Sequence, residues 1–407
     1  MKKDENNFLS ALFTYHGNIC KIVRETRYED PAAPPQTHLK IVSLPKKKLF
    51  FSYTRDTGLN LSGRAGGVVA GDVLGALQAI PPTTTDKYDG YIPDPDIEAH
   101  INFIEKYGFL FPISSDTYED IDAKNLAEFY NHIKATVRLM SSLAKKNYNS
   151  MLFDITYLLF SHPVELKLST GTYSTCMHSF TDILSQDLYF DDFSWNPDIQ
   201  INELIPVKDT ILGNTQKVDY YEYLDVWQGN RTADEGSTDL RYRKIYSLYT
   251  CLQDAPKHIR PVVEFYFYLF KNFGVFNEVR FGRLSYYSKK SAKPDFPAEY
   301  KAALLNIAHT VISEEVNYNI AGVHPEYNSK ELLPDWNLQN LNQALYFSIF
   351  YMKPGAEFYR ECANENCKRE RFFKITSTAS RKKYCCDNCR TAAAVRRARH
   401  YEKSSPV

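Results

Sequence analysis

The 407-residue chain carries no net charge, because 49 Lys and Arg are matched by 49 Asp and Glu. Nothing global therefore points to nucleic acid or to a membrane surface. Long apolar runs are also lacking. The most apolar stretches, VVEFYFYLF at 262–270 and ALYFSIFYM at 344–352, are about half the length that a membrane-spanning helix needs. The opening MKKDENNFLSALF is interrupted by acidic and amide residues, so no targeting leader is expected and the chain reads as cytoplasmic. Internal repeats, heptads and low-complexity tracts are absent, which argues against solenoids and coiled coils. Aromatic residues are plentiful: 30 Tyr and 25 Phe argue against wholesale disorder.

The length suggests two or three domains. Residues 7–28 read as a helix or mixed opening segment, followed by a loop at EDPAAPPQ (29–36). LKIVSLPKKKLFFSYTR (39–55) reads as two short strands or a hairpin, broken at Pro45. The stretch 80–96, rich in Pro, Asp and Gly, reads as a long exposed loop. Asp94 and Asp96 stand where they would cap a helix in which Ile97, Ile101 and Ile104 recur at i, i+4 and i+7. A longer helix is expected over 119–147, where Leu126, Phe129, Ile133, Val137 and Met140 keep a similar spacing. Helical periodicity returns at 258–273, 297–318 and 337–352, whereas 150–245 mixes β-rich pieces with Asn/Asp/Gly loops.

The zero net charge hides a split. Residues 353–407 hold 14 Lys/Arg against 6 Asp/Glu, a net of +8, so residues 1–352 carry −8. The composition changes at Lys353-Pro354-Gly355, where a module boundary is expected. The expected architecture is α+β. A mainly helical N-terminal body covers 1–352, with a sub-boundary near 95, and a small zinc-finger module at 353–407 ends in a basic helix.

Five of the eight cysteines fall in this last segment: Cys362, Cys367, Cys385, Cys386 and Cys389. Two short cysteine pairs joined by a spacer bring four thiolates around one tetrahedral Zn²⁺, each pair on a tight turn. The surrounding Lys and Arg favour the thiolate form, and a reducing compartment disfavours disulfides. Four thiolates close the coordination shell, so the zinc is expected to be structural. Five cysteines for four positions leave Cys385 and Cys386 as alternatives for the third ligand.

The stretch CRTAAAVRRARHYEK (389–403) reads as a helix, being rich in good helix formers and free of Gly and Pro. On a helical wheel Arg396, Arg399, His400 and Lys403 share one face, extended by Arg390 and Arg397. Thr391, Ala394, Val395 and Ala398 lie opposite and are expected to rest on the zinc module. A rigidly anchored basic helix can neutralise about 4–6 phosphates. Arg390, Arg396, Arg397, Arg399 and Lys403 are the candidate nucleic-acid contacts.

F-Y-R-E-C-x4-C-x4-F-F followed by K-K-Y-C-C-x-x-C-R and an Arg-rich helix resembles the CGNR-type zinc fingers of bacterial proteins, and more broadly bacterial Y-C-S-x-x-C-R modules. The resemblance spans roughly residues 337–402. It implies a terminal zinc module behind a longer, largely helical domain, in a DNA-binding transcription regulator. It also implies Cys362, Cys367, Cys385 and Cys389 as ligands, with Cys386 standing where Ser is usual. Where that family has Cys-Gly-Asn-Arg, this chain reads Cys389-Arg390-Thr391-Ala392.

Other features carry less. GRAGGVVAGDVLG (63–75) lacks a G-K-[ST] ending and fits no dinucleotide fingerprint, so it reads as a loop. Cys176 and His178 read as an ordinary strand pair, and Glu314 and Glu315 with His309 as a solvated helix face. Phe265, Tyr266, Phe267, Tyr268 and Phe270 read as core. No catalytic set emerges, and the chain is not expected to be an enzyme. The expected partner is double-stranded DNA, with the acidic body sensing a ligand or mediating assembly, a homo-oligomer included. The competing readings are a module that docks an acidic protein, the chain's own body included, and an enzyme with its site in the body.

Overall fold

A computed structural model describes residues 11–28, 35–55, 58–62, 73–80, 94–185, 205–218, 240–250, 255–286, 295–328, 333–352, 359–364, 372–374, 382–384 and 386–404. Residues 29–34, 63–72 and 81–93, with Cys367 and Cys385, lie outside this set, as do the expectations that fall on them. In chain order the described elements are β1 (Phe13–Arg27), β2 (Gln36–Thr54), β3 (Gly58–Ser62), α1 (Val73–Gln78), α2 (Asp94–Tyr107), β4 (Glu119–Asp122), α3 (Ala123–Lys145) and α4 (Tyr148–Phe160). Next come β5 (Glu165–Leu168), β6 (Gly171–Ser174), α5 (Ser179–Ser185), β7 (Ile205–Lys208), β8 (Thr215–Val218), α6 (Leu240–Thr250), α7 (Arg260–Phe273), β9 (Phe276–Arg280) and β10 (Arg283–Tyr286). The remainder are α8 (Ala298–Asn319), β11 (His324–Asn328), β12 (Leu333–Asn337), α9 (Leu341–Phe350), β13 (Tyr359–Glu361), β14 (Phe372–Lys374) and α10 (Asp387–Ser404). The protein is mixed α+β.

The chain divides into two compact units, each made of separated segments. The first joins Met1–Ala144, Val164–Thr175 and Val316–Val407, and the second joins Lys145–Pro163 and Cys176–Glu315.

The first unit is built on an antiparallel sheet ordered β1-β2-β3, with β4 also pairing β2. The opening segment is therefore a strand, not the helix or mixed piece that its sequence suggested. Its buried Phe13 and Tyr15 alternate with exposed or half-exposed neighbours, the period of a half-buried strand. β2 runs unbroken through Pro45, contrary to the expected hairpin. Pairing passes from Asn18↔Lys48 to Ile19↔Leu44, so Pro45, Lys46 and Lys47 have no partner in β1. Proline lacks the amide that a ladder requires, and the irregularity takes it where none is needed. Parity also flips there: Phe13 and Tyr15 are buried before it and Cys20 after it.

Helix α9 is buried from Leu341 to Ile349, as expected of a helix that is apolar on most sides. Its Phe347 ring lies 5.0 Å from Phe13, which in turn stacks on Tyr53 at 4.9 Å. Thr14 Oγ1 donates to Asp335 Oδ2 over 3.0 Å, tying β1 to β12. Helix α2 starts at Asp94, so Asp94 and Asp96 are its first and third residues rather than the cap that precedes it. It stops at Gly108, whose φ of 84° is in the left-handed region and whose N–H donates to Ile104 O at 2.8 Å.

The second unit has an aromatic core. Phe160 meets Tyr266 at 4.8 Å and Phe276 at 5.6 Å, and Phe180 stacks on Tyr266 at 5.9 Å. The buried Tyr266 hydroxyl is hydrogen-bonded to Thr156 Oγ1 at 3.0 Å, so the ring keeps its polar tip satisfied. Phe265, Tyr266 and Phe270 are fully buried, as their pattern suggested. The half-buried Phe267 and Tyr268 stack on Tyr249 and Tyr300 at 3.9 and 3.8 Å. Buried Glu264 on α7 accepts from Thr210 N and Oγ1, both at 2.6 Å, and from Ile211 N at 3.1 Å. It thereby holds the turn between β7 and β8.

Candidate functional site

Cys362 directly follows β13, which pairs antiparallel with β14 through Tyr359↔Lys374 and Glu361↔Phe372. The Ala363 N–H donates to Lys383 O at 2.9 Å, joining the turn after β13 to the segment that leads into α10. Cys389 lies in the first turn of α10. Cys362 and Cys389 are 5% and 7% exposed and are buried together, with Tyr384 and Cys386 packed against them. A strand-end cysteine and a helix-start cysteine thus form the centre of a small basic module. Of the four expected ligands, these two are brought together, and Cys367 and Cys385 lie outside the described residues. Cys386 stands at the edge of the pair, half-buried.

The rotation of α10 differs from expectation. Thr391, Ala394 and Val395 were expected to rest on the module, yet all three are exposed, Val395 at 46%. The inward face instead holds Cys389, Ala393 and Arg396, spaced i, i+4 and i+7. A buried cysteine in the first turn fixes the phase of the whole helix, and small-residue content does not override it. Arg396 donates through Nη2 to the buried Asn364 Oδ1. Arg390 is exposed and paired with exposed Asp387 at 3.2 Å. Arg397 is exposed, with Nη2 3.5 Å from the Tyr384 hydroxyl. The side chains of Arg399 and Lys403 lie outside the described set.

A second constellation lies in the second unit. Beyond β6 the chain runs through Cys176 and His178 into α5, so these residues are not the strand pair that was expected. His178 is fully buried. Its Nδ1 lies 2.8 Å from Glu314 Oε2, and its Nε2 lies 3.1 Å from Glu315 Oε1. Glu314 also accepts from Ser179 Oγ at 2.6 Å. Cys176, His178 and Glu315, all buried, each bring a ligand atom to within 4.8 Å of the others. Of the three residues read as a solvated helix face, only His309 is exposed; Glu315 is fully buried, Glu314 is half-buried, and His309 takes no part in this group.

Burial alone would push the His178 pKa down, but the hydrogen bonds that its ring nitrogens donate to Glu314 and Glu315 outweigh it and lift the value to about 9. Burial, with both carboxylates nearby, pushes the Cys176 thiol well up. Burial would raise the Glu314 carboxyl, yet His178 and Ser179 hold it below the ordinary value. The sequence did contain a signal for Glu315. It continues the buried stripe Leu304, Ala308, Val311 at i+4, i+7 and i+11, where an ionisable residue is costly unless it has a partner.

No helix among the described residues is long and apolar enough to cross a membrane. No protein-family model matches the chain, and neither does any curated protein or any solved structure.

Proposed function

We propose that the chain is a zinc-stabilised, DNA-binding protein, a transcription regulator whose C-terminal module carries the recognition helix. The observation that carries this reading is the burial of Cys362 against Cys389 at the root of α10. Among the described residues of this segment, Cys362 and Cys389 form the buried hydrophobic cluster, and in a small module of this kind a metal can supply the folding energy. Cys362, Cys367, Cys385 and Cys389 would hold a structural Zn²⁺, and half-buried Cys386 is the spare thiol. The ion fixes the start of α10, and the helix then offers Arg390, Arg397, Arg399 and Lys403 to phosphates or base edges. Arg396 supports the module from within through Asn364.

The test is the affinity of the zinc-loaded full chain for duplex DNA as a function of salt. Four phosphate contacts predict a log–log slope of about −3.6. Cys362→Ser should remove about one zinc per chain and abolish this binding. Salt-insensitive or undetectable DNA binding by the zinc-loaded chain would overturn the reading, and retention of an acidic protein partner would favour the docking alternative.

A further inference from the structure

The polar group in the second unit is more elaborate than a buried ion pair requires. We infer that Cys176, His178 and Glu315 form a second metal site, selective for Zn²⁺ or a divalent ion of similar preference, in which Glu314 orients the histidine. No residue of the C-terminal module contributes to it, so it stands apart from the DNA-binding reading.

Two observations carry the inference. First, the donors differ in kind and converge. A thiol sulfur, an imidazole nitrogen and a carboxylate oxygen lie within 4.8 Å of one another, with Nε2 and Oε1 at 3.1 Å. Bonds of about 2.0–2.3 Å to a tetrahedral zinc place neighbouring donors about 3.3–3.7 Å apart, so small adjustments would admit the ion. Second, the imidazole is presented as a ligand would be. Glu314 engages Nδ1 and is itself held by Ser179, which leaves Nε2 facing Glu315. A carboxylate on the far nitrogen of a liganding histidine is the usual outer-shell arrangement in zinc sites.

The mixed sulfur, nitrogen and oxygen set suits zinc among the common divalent ions, whereas an all-oxygen shell would suit magnesium or calcium. Three protein donors leave one of the four positions to a water. All three donors are buried, and Cys176 and Glu315 are the first and last residues of the segment 176–315. The ion would therefore fasten the two ends of that segment together.

The experiment compares metal content and Co²⁺ spectra of full-length chains. With all five C-terminal cysteines replaced by serine, the chain should retain about one zinc. Co²⁺ in its place should give a thiolate-to-metal charge-transfer band. Adding Cys176→Ser should abolish that band and the remaining zinc. Glu314→Gln, which leaves every ligand in place, should keep the band and weaken zinc binding about 10- to 100-fold. Should the five-serine chain fail to fold, zinc counts on the otherwise native chain decide, where Cys176→Ser should lower the count by one. Should Cys176→Ser also fail to fold, the zinc affinity of Glu314→Gln in the otherwise native chain decides. An unchanged zinc count in Cys176→Ser, or unchanged affinity in Glu314→Gln, overturns the site. Zinc lost only on replacing the C-terminal cysteines would do the same and leave the DNA-binding reading standing.

Discussion

Arg396 Nη2 donates to Oδ1 of Asn364, so one arginine of the terminal helix is turned toward its own module. Asn364 is 5% exposed and sits two residues past Cys362, which makes this contact a brace across the cysteine pair. The helix therefore divides its basic residues by role, and the roles can be separated experimentally.

Arg390→Ala should reduce the salt slope of DNA binding by about one phosphate contact and leave stability nearly unchanged. Its pairing with Asp387 is fully solvated and contributes little. Arg396→Ala should instead weaken zinc retention and stability of the module by ~1–3 kcal/mol, because it removes a charged donor from a buried amide oxygen. Chelator competition and DNA titration on the same two variants distinguish these outcomes. Identical behaviour of the two would remove the distinction.

Gly108→Ala should destabilise the protein by about 2–3 kcal/mol. The φ of 84° is unfavourable for an L residue, and an added Cβ would lie 2.7 Å from the backbone oxygen of Asn18. Neither atom can move without shifting β1 or the end of α2. A urea midpoint equal to that of the wild type would refute this.

Glu264→Ala should cost about 3 kcal/mol, since two backbone amides and a hydroxyl of the β7–β8 turn lose their buried acceptor. Glu264→Gln keeps one acceptor oxygen and should lose roughly half as much. A loss in Glu264→Ala with none in Glu264→Gln would mean that the side chain acts through packing and not through its charged acceptors.

The acid limb of stability should depend on Asp120. Partial burial would raise its carboxyl, yet Arg27 and His38, the latter at 2.8 Å, hold it below the ordinary 3.8. A depressed carboxyl stabilises the fold above its unfolded value, and that contribution is lost as pH falls through the lower, folded value. The group is partly exposed, so the effect should be at most ~1 kcal/mol. Asp120→Asn should flatten the pH dependence of stability below about pH 4. An unchanged acid limb would assign it to other carboxylates.

What was legible in the sequence follows the range of the forces involved. Helical periodicity placed α3, α7 and α8 within a few residues, because each buries a stripe set by local spacing, and α9 was found as a short, largely apolar run. The Cys362–Cys389 pair was legible because the spacing of thiols within a short segment reports a shared centre. β1 was misjudged because its alternation breaks at the irregularity beside Asn18, and strand β2 survives Pro45 only because the same irregularity absorbs it. The rotation of α10 was missed because the phase was taken from small residues and not from the buried cysteine. His178 and Glu314 are 136 residues apart, and no local pattern brings them together.

The segment order of the two units has a consequence for synthesis. All of the second unit has been made once the ribosome passes Glu315, whereas the first still awaits everything from Val316 onward. Strand β1, made before the other described elements, finds Phe347 and Asp335 only after the second unit has been made. The earliest sheet must therefore persist unfinished, its aromatic face uncovered, while the insert beyond it folds. A nascent chain stalled once Glu315 has cleared the ribosome should carry a finished second unit and an open first one, the stage at which helpers that shield apolar surface would have the most to hold.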